Sequence, residues 1–394
     1  MTRTHMQAHP HSVTKSHEQV FTKSLGVACG ISSYTYDLFG DMARVGFART
    51  WSEVFVFAQM FRLKTLHIQH EHGLFWDDNE FLFSVYAFQK KHPDVTIFVT
   101  FHSLNLGSND RLAFYDRLSK VAHLITLNKV AAEVSPFPLH LIEHGVPTSF
   151  RPPPARIFRQ NHVATFGFWD EEKRHDKLCD LADEAAVALD LYSRPPSEFG
   201  LASCDGLVTY YRHFLDTPTL VTRLSEYAAL VFLRRPAHEI FAVSGSARMA
   251  LVARVPVICE DSVHYADLAE AVDLVAYEDI PARIRQVVGN VTLQREMVAR
   301  QNAFVDRWSE QETRVCMQVF MLACACVCVC ICVCMHAWTA GCVHYTCAAW
   351  HKYLHPSCVR GWVDAISGST CTSTTHSMPE CNASCACRTD MCRT

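Results

Sequence analysis

Between residues 20 and 314, short apolar runs alternate with longer segments of helical spacing. LGVACG (25–30) reads as a strand stopping at glycine, and ISSYTYDLFGDMAR follows with helical spacing. LKTLHIQH (63–70) and VTIFVTFH (95–102) read as strands, separated by an amphipathic stretch around FLFSVYAFQKK. RLAFYDRLSKVAH predicts a helix, and HLITLN (123–128) and LHLIEHG (139–145) predict strands. The prolines of SFRPPPARIF (149–158) stiffen the chain into a linker. The pattern then restarts: strand HVATFGF (162–168), helix EEKRHDKLCDLADEAA (171–186) and strand VALDLYS (187–193). LVTYYRHFL leads into TLVTRLSEYAALVFL, a helix running into a strand, and SGSARMALVARVPVI (244–258) reads as turn, helix, strand. Two further helical segments close the region. This alternation predicts an α/β protein of two Rossmann-like domains facing a cleft, over 21–155 and 156–314, after a disordered tail at 1–20.

From residue 315 the character changes. Residues 324–334 read CACVCVCICVC, with Cys at every second position, and 15 of the 19 cysteines follow residue 315. An alternating GT nucleotide repeat translates as Val-Cys-Val-Cys, so the favoured reading of 315–394 is a Cys-rich, low-complexity tail from translated repeat. A membrane span over 315–337 and a thiol-rich metal tract are the alternatives. The first four cysteines, Cys29, Cys179, Cys204 and Cys259, lack metal or redox spacing and read as thiols of a reducing compartment. The N-terminus is polar, without the apolar core of a secretory signal, so the expected location is cytoplasmic. A net charge of −4 gives no footing for nucleic acid.

The stretch LHIQHEHGLF (66–75) places His67, His70 and His72 around Glu71. H-x-x-H-x-H is not a strong zinc spacing, so the expectation is a strand ending at a cleft, with no metal and no cofactor.

At these residues the chain resembles the retaining GT-B glycosyltransferases of group 1, or family 4. Cys29-Gly30-Ile31-Ser32-Ser33-Tyr34 is similar to their early glycine turn, and His67 to Phe75 to a strand-end motif. Val99-Thr100-Phe101-His102, Glu143-His144-Gly145-Val146-Pro147, Phe166-Gly167-Phe168 with Lys173, and Ser244-Gly245-Ser246 through Ile258 follow in the family's order. The resemblance covers roughly residues 24–312. It implies transfer of a sugar from a nucleotide-diphosphate donor to a glycan or other small acceptor, with retention and without an obligatory metal. Lys173 would neutralise the diphosphate, with Arg174 beside it as an alternative donor, although Lys173 also reads as a solvated helix lysine. Ser244-Gly245-Ser246 would offer helix N–H groups to phosphate, or serve as a plain cap. Gly30 would let the first-half loop approach the donor, or simply turn the chain. His102 and Glu239 would border the reacting sugar, and His70 and Glu71 the acceptor; a buried, satisfied histidine is the alternative for His102.

The family's E-x7-E pair falls on Phe241 and Met249, counting back from Pro256-Val257-Ile258. The nearest carboxylate is Glu239, and Arg254 stands where glycine is common. Two readings follow: transfer with the donor held differently, or a GT-B-like nucleotide- or glycan-binding protein without turnover.

Overall fold

The computed structural model describes residues 18–25, 30–40, 45–148, 150, 152, 159–169, 171–193, 208–211, 215–235, 239–309, 311–318 and 320–321. All fall within one compact unit spanning 1–328. The first half runs β1 (Glu18–Phe21), α1 (Gly30–Phe39), β2 (Val45–Ala48), α2 (Trp51–Phe61), β3 (Thr65–His70) and α3 (Asp78–Lys91). It continues with β4 (Thr96–Phe101), β5 (Ser103–Asn105), α4 (Asn109–Ser119), β6 (His123–Thr126), α5 (Lys129–Val134) and β7 (His140–Leu141). Its sheet has the order β2-β1-β3-β4-β6-β7, with every pair parallel.

The second half holds β8 (Arg159–Phe166), α6 (Leu178–Ala185), β9 (Ala188–Tyr192), β10 (Val208–Tyr211), α7 (Thr217–Leu224), β11 (Tyr227–Phe232) and β12 (Ile240–Ala242). After these come α8 (Gly245–Val252), β13 (Val257–Glu260), β14 (Asp273–Val275), α9 (Ile280–Val288) and α10 (Val291–Arg307). The sheet order is β10-β9-β8-β11-β13-β14, again parallel throughout. Counted within that half it is 3-2-1-4-5-6, so the order reverses between β8 and β11. Ligands of open α/β sheets sit at such a reversal, beyond the carboxyl ends of the strands.

Local sequence accounts for these elements. β11, YAALVF, is buried at all six positions, as a parallel strand covered on both faces must be. Thr50 and Glu53 form a reciprocal capping box at α2, and Asp77 caps α3 through the N–H groups of Asn79 and Glu80.

The halves are stitched together at the carboxyl edges of their sheets. β5, immediately after β4, pairs antiparallel with β12, which leads into α8. Asn128 Nδ2 donates to Ala242 O (3.0 Å) and Val263 O (3.2 Å), and Arg248 Nε donates to His144 O (2.9 Å).

Several expectations need correction. The first strand, Glu18–Phe21, begins within the stretch expected to be a tail, and β2, α2, β5, α5 and β12 form where no element was expected. β14 forms at the start of a segment expected to be helical, the strand expected over 139–145 shrinks to His140–Leu141, and the helix expected over 171–186 is confined to Leu178–Ala185 behind two 3-10 turns. Gly30 opens α1 rather than ending a strand; residues 26–29 lie outside the described set. The folded body also runs past 314. Residues 311–318 are helical, and Met317 and Met321 are buried against Val20, Leu38, Phe98 and Ile125 of the first half. Burial of each such side chain is worth roughly 1.5–3 kcal/mol, which is why the chain returns there. Cys259 keeps the free thiol expected, but Cys179 and Cys316 take part in disulfides. Among the described residues, no helix is long and apolar enough to cross a membrane; residues 322–394, with the Cys repeat, lie outside them.

Candidate active site

The second-half site is organised by Gly167, which follows β8 at the reversal of strand order. Its φ is +134°, a conformation that side chains resist. A Cβ placed there would lie 2.9 Å from Ser246 Oγ and 3.2 Å from Lys173 Nζ. The bare glycine thus lets a hydroxyl and an ammonium converge on the backbone. Lys173 Nζ donates to Phe168 O at 2.9 Å, which holds the amine over this turn. Ser244 caps α8 by accepting from Ala247 N (3.1 Å), and nothing lies within 4 Å of a Cβ built on Gly245. The N-terminus of α8 therefore presents open backbone beside Lys173. One cation, two small hydroxylic residues and a helix start form an anion site of the kind that suits phosphate.

Arg174 is engaged elsewhere. Its guanidinium pairs with Glu260 Oε1 at 3.1 Å and stacks 4.4 Å over Tyr277. Glu260 ends β13 and is buried; burial pushes its carboxyl up, while the Arg234 N–H and Arg174 pull it back. Arg234, just past β11, was not anticipated. Its backbone donates to Glu260 (2.8 Å), its side chain meets Glu172 at 2.9 Å, and its charge acts on Glu71 of the other half. The only signal for it in sequence is an Arg-Arg pair directly after an apolar strand.

His102 follows β4. Its Nε2 lies 2.7 Å from Gln69 Oε1, and the Gln69 amide reaches His67 Nε2 at 3.2 Å, which in turn meets Thr100 at 2.7 Å. With an acceptor at Gln69 Oε1, the proton of a neutral His102 sits on Nε2. Burial lowers both His67 and His102 to about 3, so both rings are neutral at physiological pH. Tyr34 of α1 packs edge-on to His102 (5.3 Å) and against His144 (4.3 Å). Glu71 accepts from Ser103 Oγ at 2.6 Å, and burial raises its carboxyl.

Two assignments separate from this group. Glu239 is exposed, its backbone carbonyl accepting from Leu106 N (2.9 Å) and its carboxylate lying against Gly107. In the β5–β12 register Ser103 faces Ala242, so Glu239 lies three residues further along, about 10 Å from the His102 end. His70 is wholly buried, stacked on Phe75 at 5.0 Å and enclosed by Phe81, Phe101 and Phe114. It points into the aromatic core rather than toward an acceptor. Gly30 begins α1 with open space around it.

No protein-family model matches the chain, and no curated protein matches it in sequence. Its fold does match solved structures. Anabaena Alr3699/HepE, solved with UDP and glucose, superposes with a TM-score of 0.59 at 12% identity, covering 78% of this chain and 100% of that one. An alpha-glucosyltransferase solved with UDP-glucose and DNA containing an abasic site gives 0.57 at 10%, covering 78% and 99%. S. aureus TarM gives 0.50 at 14%, and this chain spans about half of that protein's length (53%). The fold is therefore the two-domain GT-B fold.

Proposed function

We propose that the protein is a glycosyltransferase that moves a sugar from a nucleoside-diphosphate donor to a glycan or other small acceptor, with retention and without a catalytic metal, in the manner of family 4. The observation that carries this reading is the convergence of Lys173 Nζ and Ser246 Oγ over Gly167, beside the open start of α8, where the strand order reverses. In this reading Lys173 and the α8 N–H groups take the charge that develops on the leaving diphosphate. His102, oriented through Gln69, borders the sugar, and Glu71 the acceptor. Arg174 holds Glu260 and shapes the wall. The leaving phosphate assists deprotonation of the acceptor. The solved neighbours that hold UDP or UDP-glucose support a uridine donor as the first to test.

The deciding experiment is thermal unfolding of the protein with UDP-, GDP- and ADP-sugars, with donor hydrolysis followed in parallel. A donor at 100 times its Kd stabilises by about 2.7 kcal/mol. Lys173→Ala, which removes a charged hydrogen bond worth about 1.5–3 kcal/mol, should weaken that donor roughly 10- to 100-fold. If no nucleotide sugar shifts the melt, the transferase reading fails.

A second reading, a nucleotide- or glycan-binding protein without turnover, is favoured by Phe241 and Met249 at the glutamate positions and by the distance of Glu239 from His102. Binding without hydrolysis or transfer would establish it. We keep the cytoplasm as the proposed location, against the disulfides at Cys179 and Cys316; cell fractionation decides it.

A further inference from the structure

The loop after β3 brings together three groups that the spacing of the histidines alone does not. His70 ends the strand, His72 follows in the turn and Asp78 opens α3. One ring nitrogen of each histidine and one carboxylate oxygen of Asp78 lie within 4.8 Å of one another. His70 is 0% exposed, and neither of its ring nitrogens has a hydrogen-bond partner. A buried imidazole is seldom left so, because its lost hydration goes uncompensated. His72 Nδ1 and Asp78 Oδ1 are 3.4 Å apart, close to the ligand–ligand edge of a tetrahedral ion with bonds of about 2.0–2.1 Å, and Oδ1 accepts no hydrogen bond. The other nitrogen of His72 is 2.8 Å from Tyr115 Oη, an outer contact of the sort that fixes a ligand's tautomer. In this structure the cation at the group is Arg111, whose Nη1 lies 2.6 Å from His72 Nδ1 and also meets Asp78 Oδ2. Arg111 stands on the first turn of α4, with its side chain 29% exposed, so it has a route to solvent.

We propose that His70, His72 and Asp78 bind a divalent transition-metal ion, Zn2+ foremost, with water completing the shell and Arg111 as the ion's competitor for Asp78. The ion closes the loop over residues 71–77 onto α3 and thereby fixes the backbone that carries Glu71. It lies outside the donor site and takes no part in transfer.

Full-length protein, stripped with chelator, is titrated with Zn2+ by calorimetry and with Co2+ by visible absorption, alongside His70→Phe and Arg111→Met. Phenylalanine suits the aromatic cage and removes two unpartnered nitrogens, so His70→Phe should fold at least as stably as the parent. The parent should bind one more ion per chain than His70→Phe. That ion's Co2+ spectrum should show ligand-field bands without thiolate charge transfer, which sets it apart from metal held by cysteines. Arg111→Met should tighten it at least tenfold. Equal stoichiometry and affinity in parent and His70→Phe would overturn the proposal. So would a thiolate signature for the extra ion, or weaker binding in Arg111→Met.

Discussion

Replacing Gly167 with alanine tests the geometry on which the donor site rests. Its φ of +134° costs a non-glycine residue roughly 1–3 kcal/mol. The new methyl would also stand 2.9 Å from Ser246 Oγ and 3.2 Å from Lys173 Nζ, closer than ordinary contact. Both neighbours are side-chain ends that can turn aside, so the clash adds little to stability but displaces the two groups assigned to phosphate. Against these costs, alanine narrows the unfolded ensemble, a gain of about 0.4–1 kcal/mol. The net expectation is a loss of about 1–2 kcal/mol, or roughly 2–8 °C in Tm at about 2–4 °C per kcal/mol. Urea unfolding gives the first quantity and donor-induced thermal shifts the second effect, a loss of nucleotide response beyond that expected from stability. A variant that melts with the parent and keeps the full donor shift would refute both the strain and the site.

Gly245→Ala separates binding from folding. Its Cβ meets nothing within 4 Å and alanine favours the helix, so stability should hold or rise slightly while the donor-induced shift falls; a retained shift would show that phosphate does not approach α8. Arg248 is buried and pairs with buried Asp267, and Arg248→Ala should cost about 3–5 kcal/mol by urea unfolding because it strands that carboxylate. His67 and His102 titrate at about 3 when folded, against 6.5 as the ordinary value. Unfolded chains therefore take up protons first, and stability, complete above pH 6.5, should drain as pH falls toward 3. Each ring contributes a slope of up to about 1.4 kcal/mol per pH unit. A urea midpoint unchanged between pH 7.5 and 5 would contradict their burial.

The central strands of the second half were legible because their apolar runs are bounded by turn signals and separated by punctuated helices, whereas its three-residue strands β12 and β14 were not. LVFL, SGSARMAL and PVI each pair a periodicity with a turn signal, and they appear as β11, α8 and β13. The first half was read less well. VGFA at β2 is a partly exposed edge strand interrupted by Gly46, and the aromatic-rich WSEVFVFAQMF of α2 gives little amphipathic contrast, so neither stood out from the intervening chain. The site divided along similar lines. Lys173, Ser244, Gly245 and Ser246 lie within contiguous motifs, and the structure brings them together at one strand-order reversal. Glu239 lies near them in sequence, yet the antiparallel β5–β12 register carries it away from His102. Distance in space set by strand pairing cannot be counted along a chain. The roles of Gln69 and Tyr34 beside His102, and of Asp78 beside His72, depend on contacts between elements for the same reason.

The return of Met317 and Met321 to the first half has a consequence for the order in which the protein is made. Val20, Phe98 and Ile125 share a cluster with Tyr34, Leu38 and Phe39 of α1, and Met317 and Met321 complete it from roughly 200–300 residues further along the chain. A ribosome delivers these partners after both sheets, so part of one face of the first sheet stays exposed to water and to other chains throughout synthesis of the second half. Loop closure over so long a span costs little more entropy than over a shorter one, since the cost grows only with the logarithm of length. What the nascent chain faces is therefore a delay, and chaperone dependence should end when residue 321 clears the exit tunnel rather than when either sheet is complete.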